Sequence, residues 1–170
     1  MIKQIFITNG MARCGKDTFA QFLDEIVSVC KYSSINKVKD VAKHCGWDGG
    51  KTERDRKFLS DLKMLTTEYS DMAFNDMARV VELFKDGTYD TQVLLIDIRE
   101  PAEIERAKQA FGAETILIIN ENVDFIDSNP ADANVYMYKY DYIVDNSSTL
   151  EAFKERVQEF AREHILKGGN

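Results

Sequence analysis

Short apolar runs with no polar alternation, separated by stretches of helical period, constrain this chain more than any other feature. Ile5-Phe6-Ile7, Val93-Leu94-Leu95-Ile96, Ile116-Leu117-Ile118-Ile119 and Tyr142-Ile143-Val144 are such runs. A strand that is apolar on both faces must be covered on both, which is the condition of a parallel sheet between helices. Phe19, Leu23, Ile26 and Cys30 recur at helical spacing, so a helix is expected from near Gly15 to about Lys31. Tyr32-Ser33-Ser34-Ile35 reads as a weak second strand. Val38, Val41 and Ala42 indicate a short helix closed by Gly46. Phe58, Leu62, Leu65, Tyr69 and Met72 form a stripe that Phe74, Met77, Val81 and Phe84 continue with a phase shift. That shift predicts two helices, or one bent helix, ending at Asp86-Gly87. Pro101 opens a further helix with Ile104, Ala107 and Phe111 inward. Residues 121–135 read as a polar loop. Ser148-Thr149-Leu150-Glu151 reads as a capping box before a last helix that buries Leu150, Phe153, Val157 and Phe160. The expected fold class is α/β, one domain over residues 1–170 with a helical excursion at about 37–87.

Composition limits the partners. Asp and Glu number 29 against 22 Lys and Arg, a net charge of −7, whereas duplex nucleic acid requires a broad basic surface. Cys14, Cys30 and Cys45 form no C-x-x-C, and only His44 and His164 could join them, so a zinc site is not expected. No apolar run approaches the ~18–20 residues that span a bilayer. The first residues lack a basic region followed by an apolar stretch. A cytoplasmic protein with no nucleic-acid or membrane partner is expected.

Gly10-Met11-Ala12-Arg13-Cys14-Gly15-Lys16 fills the pattern G-x-x-x-x-G-K between the first strand and the first helix. In that context the two glycines let the backbone curl until its N–H groups face one point, the helix N-terminus adds positive potential, and Lys16 reaches the β- and γ-phosphates. The pattern asks next for Ser or Thr, but Asp17 and then Thr18 follow. Asp17 either joins the Mg²⁺ shell or caps the helix start. Thr18 either meets the α-phosphate or faces its own helix. Asp97, ending the run Leu94-Leu95-Ile96, occupies the place from which a carboxylate supports Mg²⁺ beside such a loop. A guanine-reading N-K-x-D is not satisfied, because Asn36-Lys37-Val38 is followed by Lys39.

Arg13-Cys14-Gly15-Lys16-Asp17-Thr18 resembles the R-x-G-K-D-[TF] loop of phage-type deoxynucleoside monophosphate kinases and animal-type phosphomevalonate kinases. Asp97-Ile98-Arg99-Glu100-Pro101-Ala102-Glu103 is similar to their D-x-R-x-P-x-E segment, and Asp141, Ile143, Asn146 and Leu150 match the spacing near their last strand. The resemblance implies a P-loop NTPase of three α/β/α layers, with a five-stranded parallel sheet and a helical acceptor-binding insertion. It also implies transfer of the γ-phosphoryl of ATP, with Mg²⁺, to a small phosphate monoester, a (deoxy)nucleoside monophosphate or else a non-nucleotide phosphate such as a mevalonate ester, and a monomer or homodimer is expected. The donor site is then Gly10 to Thr18, with Asp17 and Asp97 toward the metal. Lys16, Arg13 and Arg99 neutralise charge on the moving group, and Arg56 and Arg99 hold the acceptor. Arg54 and Arg56 lie about 200° apart around a helix, so at most one faces a shared site, and Arg56 aligns better with the family's acceptor-side arginine. Trp47 and Tyr69 are candidates for stacking on an acceptor base, or are core residues.

One departure stands out. Nucleoside monophosphate kinases close an arginine-bearing lid over the phosphates, but no Lys or Arg occurs between Lys108 and Lys139, where Glu121, Asp124, Asp127 and Asp132 lie. Arg13 substitutes for the lid arginines, or Mg²⁺ does more of the work, or turnover is feeble or lost, leaving a nucleotide-binding module.

Overall fold

A computed structural model describes residues 3–123 and 134–167. The strands β1 (Gln4–Asn9), β2 (Val29–Ser33), β3 (Val93–Asp97), β4 (Glu114–Ile119) and β5 (Tyr142–Asp145) form one sheet in the order β2-β3-β1-β4-β5. Every neighbouring pair is parallel. The helices are α1 (Lys16–Asp24), α2 (Asn36–His44), α3 (Glu53–Ser70), α4 (Met72–Lys85), α5 (Pro101–Phe111) and α6 (Leu150–Phe160). The last of these runs on into a π-helical turn, Ala161–Leu166.

Alternation along each strand feeds two cores. Phe6, Leu95, Ile116 and Ile118 turn to one face, where they meet Phe19 and Leu23 of α1 and Phe153, Val157 and Phe160 of α6. Ile5, Ile7, Leu94 and Ile96 turn to the other, against Met77, Val81 and Phe84 of α4 and Ile104, Ala107 and Phe111 of α5. The uninterrupted apolar runs therefore serve both layers. No helix among the described residues is long and apolar enough to cross a membrane.

Several local expectations are corrected. The first helix stops at Asp24, because the Val27 N–H turns back to Leu23 O (3.0 Å) and the Asp24 carboxylate accepts from the Val29 N–H (2.8 Å). Cys30 consequently lies in β2, paired with Leu94, and the second strand starts before the Tyr32–Ile35 window read from sequence, overlapping it at Tyr32 and Ser33. Of the two arrangements that the phase shift allowed, the two-helix one is found, with Asp71 in the left-handed region (φ 52°) between α3 and α4. The stripe on α3 is not a core face, since α3 buries no residue and Leu65 and Tyr69 are exposed. Thr149, not Ser148, caps α6 by accepting from the Ala152 N–H, and Leu150 is exposed. At the end of the polar loop, Val135–Met137 forms a short 3-10 turn with Val135 buried. Asp124, Asp127 and Asp132 lie outside the described residues.

Candidate phosphate-binding site

β1 ends in two buried polar residues, Thr8 and Asn9, and the loop that follows is held from below and from both sides. Asn9 Oδ1 accepts from the Gly10 N–H (2.8 Å), while its Nδ2 donates to Arg99 O (3.1 Å) and the Tyr140 hydroxyl (2.7 Å). All of the Asn9 amide is thereby satisfied, and the carbonyl of Arg99 is tied to the root of the loop. Gly10 sits at φ 150°, where a Cβ would lie 2.4 Å from Ile118 O and 2.5 Å from Cys14 Sγ. At Gly15 (φ 108°) a Cβ would meet Asn146 Nδ2 at 2.4 Å, and that same amide donates to Cys14 O (2.9 Å). Both glycines are dictated by close approach as well as by backbone angle. Arg13 also has a positive φ, 65°, so the loop turns through the left-handed region at its middle.

The result is an open hollow of about 220 Å³ lined by Arg13, Gly15, Lys16, Asp17 and Thr18. The first N–H groups of α1 have no partner inside their own helix and carry its positive end, so they suit an anion. No side chain caps this terminus, and Asp17 does not perform that role. The Lys16 ammonium is curled over the loop, donating to Gly10 O (2.6 Å) and Met11 O (2.8 Å) and lying 3.8 Å from Cys14 Sγ. A phosphate would offer it charged acceptors in place of neutral carbonyls, adding an ion-pair attraction to the hydrogen bonds. Burial pushes the Cys14 thiol up, only partly offset by Lys16, so Cys14 packs as an uncharged residue under the loop.

Sequence reasoning missed Lys31. It stands in the middle of β2, and its ammonium is bonded to Asp17 Oδ1 and lies 3.0 Å from Asp97 Oδ2. The other oxygen of Asp97 accepts from the Thr8 hydroxyl. The Lys31 contact holds the Asp17 carboxyl below the usual carboxylate range. Burial alone would lower the Lys31 pKa, but the two carboxylates outweigh it and raise the value. The signal for Lys31 was a lysine inside an otherwise strand-forming Val-Cys-Lys-Tyr segment, hidden once that segment was read as helix. Asp17 and Asp97, hard oxygen donors from two elements, fit a Mg²⁺ ion in chemistry and number, with waters and phosphates completing the shell.

Arg99 lies two residues beyond β3, at the carboxyl end of the sheet where ligands bind in open α/β folds. Arg56 stands on the exposed first turn of α3, outside the lining of the hollow. Neighbouring Asp55 forms a capping box with Thr52, accepting from its N–H (2.9 Å) and its hydroxyl (2.6 Å), which explains why an acid separates the two arginines. A second, smaller cavity of about 70 Å³ lies between β2, α3, α4 and α5, lined by Ser34, Thr67, Phe74, Met77, Glu103 and Arg106. Trp47 donates its indole N–H to Gly50 O (3.1 Å) in the turn before α3.

No family model and no curated protein matches the chain. Solved structures do match over nearly the full length. The Thermus thermophilus protein TT1252 is 13% identical, with 97% of this chain and 99% of that one covered and a TM-score of 0.58. Dephospho-CoA kinase from Campylobacter jejuni is 14% identical over 96% and 98%, with a TM-score of 0.52. Shikimate kinase from Bacteroides thetaiotaomicron is 14% identical over 98% and 99%, with a TM-score of 0.50. The fold is P-loop kinase-like. At these identities the likeness shows the fold alone.

Proposed function

We propose that this chain is a single-domain, Mg-ATP-dependent phosphotransferase that moves the γ-phosphoryl group to a small phosphate monoester, a (deoxy)nucleoside monophosphate. The observation that carries the reading is the glycine-bounded hollow at the start of α1, with Lys16 curled over it and Asp17 and Asp97 at its side. In this reading the loop amides from Gly10 to Thr18 hold the donor phosphates. Lys16 leaves the Gly10 and Met11 carbonyls for the β- and γ-oxygens, and Arg13 meets the charge spread over the moving group. Arg99 and Arg56 grip the acceptor phosphate, one of whose oxygens attacks the γ-phosphorus. The bond from that phosphorus to the β–γ bridging oxygen breaks, and ADP leaves with the electron pair. Asp97 and Asp17 would hold a Mg²⁺ ion, which would supply neutralisation of the phosphate charge. Such a transfer depends on positioning and electrostatics, which is what this rigid loop provides.

The lack of any Lys or Arg between Lys108 and Lys139 favours a second reading, a nucleotide-binding module without turnover. Incubating the protein with Mg-ATP and a panel of phosphate monoesters, followed by mass spectrometry, separates the two. A new diphosphate supports transfer; ATP binding with no product on any acceptor supports the module. Lys16→Ala is expected to lower turnover by about 100- to 1,000-fold with an unchanged melting curve. Retained turnover would refute the role given to Lys16.

A further inference from the structure

We propose that Lys31 is a resident cation at the metal position: it offsets part of the charge of Asp17 and Asp97 in the nucleotide-free protein and yields both carboxylates to the divalent ion. The inference deepens the phosphotransferase reading, on which it rests for the identity of the metal-holding carboxylates. Asp17 comes from the first turn of α1 and Asp97 from the end of β3, and each is ion-paired to the same ammonium. On Asp97 the Thr8 hydroxyl takes Oδ1 and Lys31 takes Oδ2. The ammonium thus occupies the space between the two carboxylates, and a divalent ion held by both would be repelled by it at that distance.

The placement has a physical rationale. Two carboxylates beside a polyphosphate site would repel the incoming anion, and a positive charge between them offsets half of that charge before any metal arrives. β2 is the edge strand next to β3, so a lysine side chain from its middle reaches Asp97 along the sheet and Asp17 across the mouth of the loop. Its side chain is 30% exposed, so it can swing to solvent without opening a cavity. Lys31 is therefore a positioning residue. Metal and ammonium compete for one pair of acids, and free metal binds poorly until phosphates add their own oxygens.

The test is Mn²⁺ binding to the nucleotide-free protein, read from the electron paramagnetic resonance signal of free Mn²⁺. Lys31→Met is expected to bind Mn²⁺ about tenfold tighter than the unaltered chain, or more. Lys31→Gln, which suits the exposed strand edge, is expected to do the same and guards against misfolding of the methionine variant. The gain is expected to vanish when Asp97→Asn is added to Lys31→Met. Equal Mn²⁺ affinity with and without Lys31, or a gain that survives Asp97→Asn, overturns the proposal. Separately measured ATP binding distinguishes this failure from that of the underlying reading. ATP bound normally with no Mn²⁺ effect sinks only the role of Lys31, whereas no ATP binding at all sinks the phosphotransferase.

Discussion

Around the phosphate loop, Asn9, Lys16, Asp97 and Asn146 are each hydrogen-bonded to a neighbour in another part of the site, whereas α3 spans eighteen residues and buries none of them. The first region is finished before any ligand arrives. The second exposes Met64, Leu65 and Tyr69, at 66%, 63% and 90%, and is joined to α5 by the Lys63–Glu103 ion pair (2.6 Å). Its neighbour α4 behaves differently, burying Ala73, Met77, Val81 and Phe84 in the core. The contrast teaches that the loop at the mouth of α1 is pre-organised, while α3 is a helix on a firm base with one face left open. Low-stability elements of this kind are where ligand-linked movement concentrates.

The sharpest way to break the comparison is Gly10→Ala. The new methyl would meet the Ile118 carbonyl oxygen, which is backbone and cannot turn aside, at a positive φ. Strain and overpacking together predict a loss of about 4 kcal/mol in urea unfolding. A loss below about 1 kcal/mol would mean the loop is not rigid. Met77→Ala, in α4 beside α3, is expected to cost about 3 kcal/mol by the same measurement.

Asp141 sharpens the comparison at the sheet's other edge. Burial pushes its carboxyl up, but the Lys108 ammonium (2.7 Å to each oxygen) and the Thr115 N–H and hydroxyl (2.8 Å each) outweigh that and hold it below the ordinary range. A depressed folded value gives stability above the unfolded carboxylate pKa of about 4, lost as the pH falls through the folded value. Asp141→Asn is therefore expected to cost about 1–2 kcal/mol at pH 7, moderated because a third of the side chain is in water. The gap to the unaltered chain should close as the pH drops below about 4, and urea titrations at pH 7, 5 and 3 would show it. The smallest effect belongs to α3: Leu65→Ser and Tyr69→Ser should each change stability by about 0.5 kcal/mol or less. A larger loss from either would show that α3 packs more firmly than its exposure implies.

The layers of the fold were legible because apolar runs without alternation admit few arrangements, and the loop because two glycines and a lysine at fixed spacing sit between a strand and a helix. Where one helix turn merged into a strand, legibility failed. Ile26 and Cys30 continue the spacing of Phe19 and Leu23 past Asp24, and only the Asp24 carboxylate closing on the Val29 N–H marks the end. That error hid Lys31, whose meaning depends on β2 lying beside β3, a pairing no local pattern announces. The α3 stripe misled for a different reason. Periodicity reports an apolar face without saying whether this chain covers it, and Leu65 and Tyr69 lie uncovered. Arg13, Gly15, Lys16, Asp17 and Thr18, read from a contiguous motif, do line one hollow. Arg56, read from a helix start, does not join them there.

The central claim, a polyphosphate held by main-chain amides at the mouth of α1, is tested most directly by amide chemical shifts. Adding Mg-ATP to ¹⁵N-labelled protein should move the signals of residues 10–18 strongly, with Gly15 and Lys16 foremost, and leave those of α6 beyond Val157 in place. If residues 10–18 stay unmoved at saturating nucleotide, or shift no more than the far end of α6, the hollow does not bind phosphate and the account is contradicted.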